Sequence, residues 1–156
     1  MTAKAAASGT TDRIEKQFHV SADRSRVWRA IADAGEFGTW FGMKLDRPFA
    51  RGATVLGRLT IPGYEHVAVE MLIETIEPET RFSYRWHPYA VDPAIDYAAE
   101  PMTLVEFTLR DEAGGTSVTI IESGFDRLPA TRRAEAFRMN EGGWAAQSKK
   151  LAAHVG

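Results

Sequence analysis

A chain of 156 residues with 44% hydrophobic and 26% charged side chains has the make-up of one globular domain, neither disordered nor membrane-embedded. Its 19 basic side chains against 21 acidic ones, a formal net charge of −2, leave no electrostatic footprint for a phosphate backbone, so nucleic acid is not an expected partner. The absence of cysteine excludes disulfides, thiolate metal sites, cysteine-ligated iron–sulfur clusters and a cysteine nucleophile.

Residues 1–11 are rich in Ala, Ser and Thr and lack the apolar run of ~7–15 residues that a secretory signal needs, and nowhere do about 18 apolar residues run together. The expectation is a loose tail over 1–11, one domain over 12–156, no membrane span and a cytoplasmic location. Ile14, Phe18 and Val20 alternate with Glu15, Gln17 and His19, with Lys16 interrupting the inner row, which is the period-two pattern of a strand. Ser21 is placed to cap a helix with Asp23 in its first turn, Val27, Trp28 and Ile31 recur at helical spacing, and Gly35 ends the helix. Over 36–42, Phe37, Trp40 and Phe41 predict a packed one-turn helix. A turn over 48–52 leads to strands over 55–61 and 67–76, separated by the breaker pair Pro62 and Gly63.

Phe82, Tyr84 and Trp86 then occupy one face of a strand and Ser83, Arg85 and His87 the other. Residues 88–101 hold Pro88, Pro93, Pro101 and several acids, the make-up of a long loop over the sheet, and such loops commonly cover a site. Val105, Phe107 and Leu109 share a face, residues 111–115 turn, and Val118 and Ile120 continue the inner face until Gly124. Leu128 and Pro129 open a last helix over 129–155, with Phe137, Trp144, Leu151 and Val155 on the side toward the sheet; at ~1.5 Å per residue it reaches roughly 40 Å. Together these elements predict an α+β fold: a curved antiparallel sheet of six to seven strands around a long C-terminal helix, with two short helices after the first strand. Hairpin-joined strands need no crossover, and only the terminal helix is large enough to cover the apolar face.

Residues 22–28, Trp40 and Phe41, then Ile76, Glu77, Pro78, Arg81, Phe82 and Trp86 carry the first part of a family resemblance. Gly115, Thr116, the run Glu122, Ser123, Gly124, Phe125, and Gly143, Trp144 and Leu151 carry the rest. In this order and spacing they resemble the START/Bet v 1-like superfamily known as SRPBCC, and within it the activator of 90 kDa heat shock protein ATPase homologues, over residues 12–155. The resemblance implies a helix-grip fold whose cavity holds an apolar or aromatic small molecule, with functions from ligand transport to cyclisation chemistry. Eukaryotic activators carry a further N-terminal chaperone-binding domain for which this chain has no room, so the resemblance does not bring a chaperone partner with it.

His19, His66, His87 and His154 lack metal-ligand spacing, and no GxGxxG, GxxxxGK[ST] or GxSxG occurs, so no metal, cofactor or catalytic constellation is expected. Arg132, Arg133, Glu135, Glu141, Lys149 and Lys150 read as a solvated helix face, and Asp92, Asp96 and Glu100 as loop acids without an acid–base role. Gly142 and Gly143 each cost a helix about 1 kcal/mol relative to Ala, for which close packing is the favoured compensation and a hinge the alternative.

The candidate ligand-binding residues are Trp40, Phe41, Tyr84, Trp86, Glu122 and Phe137. The aromatic residues would line one cavity. Strict alternation from Val118 and Ile120 turns Glu122 inward, where a carboxylate must pair, meet water or hold its proton. It would be satisfied at the strand end by an Arg or a backbone amide, or serve as a polar handle or general acid–base in the cavity. The leading expectation is binding of an apolar small molecule without a cofactor. The alternatives are an enzyme of cyclase, dehydratase or hydrolase type, and a chaperone-interacting protein working through its outer sheet face. An exposed strand edge would also accommodate a homodimer.

Overall fold

The computed structural model describes residues 12–156, so the tail expected over 1–11 lies outside the described residues. Seven strands, β1 (Arg13–Val20), β2 (Met43–Leu45), β3 (Thr54–Leu59), β4 (Ala68–Glu77), β5 (Arg81–Trp86), β6 (Thr103–Glu112) and β7 (Gly115–Ser123), form one antiparallel sheet ordered β1-β7-β6-β5-β4-β3-β2. Successive strands from β2 to β7 pair in chain order, and β1 closes the row on β7, with Ile14 opposite Glu122 and Val20 opposite Thr116. The alternation puts Phe82, Tyr84, Val105, Phe107, Val118 and Ile120 on the covered face, each at most 1% exposed. The outer face is held by ion pairs, Arg85 to Glu74 at 2.5 Å and Arg81 to Glu106 at 3.3 Å. Between Ile73 and Thr75 the register with β5 slips by a residue, a bulge that bends β4 and adds to the curvature of the sheet.

Two helices, α1 (Arg24–Ala32) and α2 (Ala34–Phe41), follow β1 as expected, but their ends differ from the sequence reading. Asp23, not Ser21, caps α1, its carboxylate accepting from the Arg26 amide at 2.9 Å, because only the residue flanking the first turn reaches an unpaired helix N–H. Gly35 does not end α1 but lies inside α2. Asp33 separates the helices: its N–H closes α1 on the Arg29 carbonyl, and its carboxylate caps α2 through the Glu36 amide at 2.9 Å. Gly42, at φ 100°, turns the chain out of α2 in the left-handed conformation. It leads straight into β2, whose three residues are too few to show a period and are ordered by pairing Met43 with Leu59. A Cβ on Gly38 would stand 2.3 Å from the Met43 carbonyl oxygen, so this return requires glycine there.

The last helix, α3 (Ala130–Val155), runs where the sequence places it and buries Trp144, Leu151 and Val155. The Trp144 ring lies 5.8–6.0 Å from those of Phe41, Phe107 and Trp86, joining α3 to α2 and the sheet in one aromatic cluster. Phe137 departs from its expected position. It is half-buried against Phe125 at 5.3 Å, in the turn after β7, while Ala136 takes the inward position. No described helix is long and apolar enough to cross a membrane.

Glu36 clamps the three helices together. Its carboxylate accepts from Arg26 at 2.9 Å, Arg29 at 3.0 Å and the His154 ring at 2.9 Å. The His154 bond, followed by those from Arg26 and Arg29, lowers its pKa from 4.5 to about 2. A carboxyl depressed by folding contributes stability that is present above the unfolded pKa and lost as pH falls through the folded one. Glu36→Gln is therefore expected to lower the urea midpoint at neutral pH, with the gap to wild type closing between about pH 4.5 and 2. A gap independent of pH would show that the clamp contributes nothing as a charge.

Candidate functional site: an aromatic cavity under a fastened loop

Between the β3–β4 hairpin, the long loop after β5 and α3 lies a cavity of about 960 Å³. Leu59 and Val69 of the hairpin, Trp86 at the end of β5, Tyr89 and Tyr97 of the loop and Trp144 of α3 are in its wall. Among the described residues the exposed large hydrophobic side chains are Leu56, at 48%, and Ile95, at 43%, and both belong to this wall.

The loop is fastened rather than free. Arg132 Nε meets Glu100 Oε1 at 2.7 Å, Nη1 donates to the Tyr89 carbonyl at 3.2 Å, and the guanidinium stacks 4.7 Å from the Tyr97 ring centroid. The Arg132 side chain is only 12% exposed, which overturns its expected place on a solvated face: a planar cation with several donors is what a loop of carbonyls and acids recruits. On the other side His66 Nε2 bonds the Val91 carbonyl at 3.0 Å. Asp92 and Asp96 are turn formers, bonding the amides of Ala94 and Ala98.

Glu122 points inward as alternation requires and is completely buried. Its partners are neither an arginine nor a backbone amide. Trp86 Nε1 at 2.8 Å and Thr103 Oγ1 at 2.5 Å donate to Oε2, and Trp144 Nε1 at 2.8 Å and Asn140 Nδ2 at 2.9 Å donate to Oε1. Burial holds the carboxyl above its usual range, and the four bonds, led by Thr103, lessen that rise without cancelling it. Trp86, Asn140 and Trp144 line the cavity and Glu122 does not, so the carboxylate stands behind the wall and orients it.

Of the other candidate residues, Phe41 and Trp86 are in the wall, their rings 5.9 Å apart. Trp40, Tyr84 and Phe137 lie outside it. Trp40 donates its indole N–H to the Ala30 carbonyl at 2.9 Å and so belongs to the α1–α2 contact. Tyr84 is fully buried, its hydroxyl without a partner and its pKa pushed well up by burial and by the charge of Glu122. The close-packing reading of Gly142 and Gly143 is overturned: a Cβ at either position would meet nothing within 4 Å, and both residues line the cavity.

Asn140 and Gln147, also in the wall, escaped the sequence reading. The available signal was two amides on the helix face that carries Trp144 and Leu151, positions at which a core helix would carry apolar groups. Gln147 Nε2 donates to the Phe41 carbonyl at 3.0 Å, and its buried Oε1 has no donor, a deficit of about 1–3 kcal/mol for a buried acceptor.

Two substitutions test this arrangement. Glu122→Gln turns an amide NH2 toward one of the two indole N–H groups, which can only donate, and is expected to cost about 2–4 kcal/mol, with the Trp86 and Trp144 indole N–H resonances shifted. Tyr84→Phe removes an orphaned hydroxyl and is expected to leave stability unchanged or raise it by about 1 kcal/mol in denaturant unfolding.

Comparison with known proteins places this geometry. Residues 21–156 match the family described as Activator of Hsp90 ATPase homolog 1-like protein. DynU16, a protein of the dynemicin biosynthetic locus, is similar in structure at a TM-score of 0.70 and 24% identity, over 92% of this chain and 47% of DynU16. This chain thus spans about half the length of that relative. MLL2253 from Mesorhizobium loti is similar at 0.72 and 22% identity, over 92% of this chain and 96% of that one. The Aha1 dimer from Colwellia psychrerythraea is similar at 0.68 and 14% identity, over 92% and 95%. At these identities the likeness is one of fold. Among curated proteins no match was found.

Proposed function

The chain belongs to the family of Activator of Hsp90 ATPase homolog 1-like proteins, and from that premise we propose that it is a binding protein whose cavity takes an apolar, largely aromatic small molecule without a cofactor. The observation that carries this reading is the cavity itself. Its volume of about 960 Å³ is at the upper end of the ~300–1,000 Å³ typical of ligand pockets, and the exposed large hydrophobic residues among those described border it. Phe41, Trp86 and Trp144 supply aromatic surface, and the glycines of α3 leave room beside them. A structural neighbour from the dynemicin biosynthetic locus agrees with a small-molecule partner. The outer sheet face carries the ion pairs of Arg85 with Glu74 and Arg81 with Glu106, which ranks chaperone docking lower.

One observation favours catalysis as a second reading. His87 lines the cavity with its Nδ1 buried and unpartnered, and burial lowers its pKa, so a neutral imidazole would be available as a base. Conversion of a bound ligand that His87→Asn abolishes would establish it.

The binding reading is tested with N-phenyl-1-naphthylamine, which should bind once per chain and quench tryptophan emission. Gly143→Leu, placing a side chain in open cavity space on a helix, is expected to raise the melting temperature and to weaken the probe at least tenfold. Undiminished binding by this variant would move the site elsewhere.

A further inference from the structure

Asn140 and Gln147 stand seven residues apart in α3, so they share one face of the helix. Both line the cavity, and each has its amide nitrogen engaged by the protein: Asn140 Nδ2 by Glu122 Oε1 at 2.9 Å, and Gln147 Nε2 by the Phe41 carbonyl at 3.0 Å. The Phe41 carbonyl oxygen accepts only, and Glu122 Oε1 accepts from the Trp144 indole as well as from Asn140, so these partners decide which end of each amide is nitrogen and which is oxygen. Neither Asn140 Oδ1 nor Gln147 Oε1 receives a hydrogen bond from the described residues, although Gln147 is only 8% exposed. Gly142 and Gly143 lie between them, where a side chain would have met nothing and would have occupied the wall. The wall along α3 is therefore bare in the middle, with an amide residue at each end, and the unpartnered Oε1 of Gln147 is buried at its end.

Resting on the binding reading above, we infer that Asn140 and Gln147 are the specificity residues of the cavity, selecting a flat apolar ligand with a hydroxyl group at each end. One hydroxyl donates to Asn140 Oδ1 and the other to Gln147 Oε1, with the ligand frame lying across the glycines. Seven residues at ~1.5 Å each put Asn140 and Gln147 about 10 Å apart along the axis, roughly the oxygen–oxygen span of 4,4′-dihydroxybiphenyl. A site with built-in acceptors rejects an analogue that cannot donate more strongly than an apolar wall rejects a misfit in size. Glu122 serves as a positioning residue, since its acceptor oxygen holds the Asn140 amide with the oxygen turned away from it.

The test compares 4,4′-dihydroxybiphenyl, 4-hydroxybiphenyl and 4,4′-dimethoxybiphenyl by calorimetry and tryptophan quenching. Wild type should bind the dihydroxy compound at least tenfold tighter than the monohydroxy one, and the dimethoxy compound weakest. Gln147→Leu should make the dihydroxy and monohydroxy compounds equal. It leaves no acceptor bare, because Lys150 Nζ also donates to the Phe41 carbonyl at 2.8 Å. Asn140→Leu should reduce the remaining hydroxyl preference, and if losing a Glu122 donor unfolds that variant, Gln147→Leu decides alone. Equal binding of all three compounds by wild type, or a dihydroxy preference that survives Gln147→Leu, overturns the inference. So does failure of all three while N-phenyl-1-naphthylamine still binds; failure of the naphthylamine as well overturns the binding reading itself.

Discussion

A fully buried carboxylate with no cation beside it constrains this molecule more than any apolar contact does. Burying a carboxyl group without hydrogen bonds costs several kcal/mol, and Glu122 offsets that through four directed bonds drawn from three separate elements, Trp86 on β5, Thr103 on β6, and Asn140 and Trp144 on α3. Apolar packing tolerates small rotations of a helix on a sheet, whereas hydrogen bonds weaken steeply with angle. Once Trp144 and Asn140 both point at one carboxylate, the rotation and depth of α3 are set. The rings of Phe41, Phe107 and Trp86 then gather around the Trp144 indole.

The cavity follows from that placement. With α3 held against Glu122, the helix face carrying Asn140, Gly143 and Gln147 borders the space beside the β3–β4 hairpin instead of filling it. Arg132 holds the covering loop through Glu100, Tyr89 and Tyr97 at once, so the roof is attached near the start of the same helix. Walls, floor and roof thus share one element, and a change in α3 is felt on all sides of the cavity.

Much of the fold was legible because it rests on period. The alternation survives along β6 from Thr103 to Leu109 and along β7 from Val118, while Ser83 in β5 and Ser117 in β7 are buried on the other face, and the inward turn of Glu122 is a direct reading of that period from Val118 and Ile120. The elements that were misread are the ones without a period: β2, ordered by its partner strand, and Asp33, one residue that ends one helix and starts the next. Within the site, the aromatic residues were easy to select and hard to place. Trp40, Tyr84 and Trp86 look alike in sequence, and their roles were separated by hydrogen-bond partners distant along the chain. Asn140 and Gln147 were missed and Arg132 was assigned to a solvated face because an apolar stripe draws attention away from polar residues, yet here the polar residues of α3 do the bonding.

The glycine pair in α3 separates two stretches with unlike attachments. After it, Trp144, Gln147, Ser148, Leu151 and Val155 are all buried; before it, Ala136 alone is buried, Asn140 bonds Glu122 next to the pair, and Arg132 ties the start of the stretch to the loop. Helical residues gain most of their stability from tertiary burial, and glycine weakens the coupling between successive turns. Although α3 is one helix in geometry, this difference in burial predicts two units in cooperativity: a C-terminal part that unfolds with the core, and a first few turns that open with the loop at lower free energy.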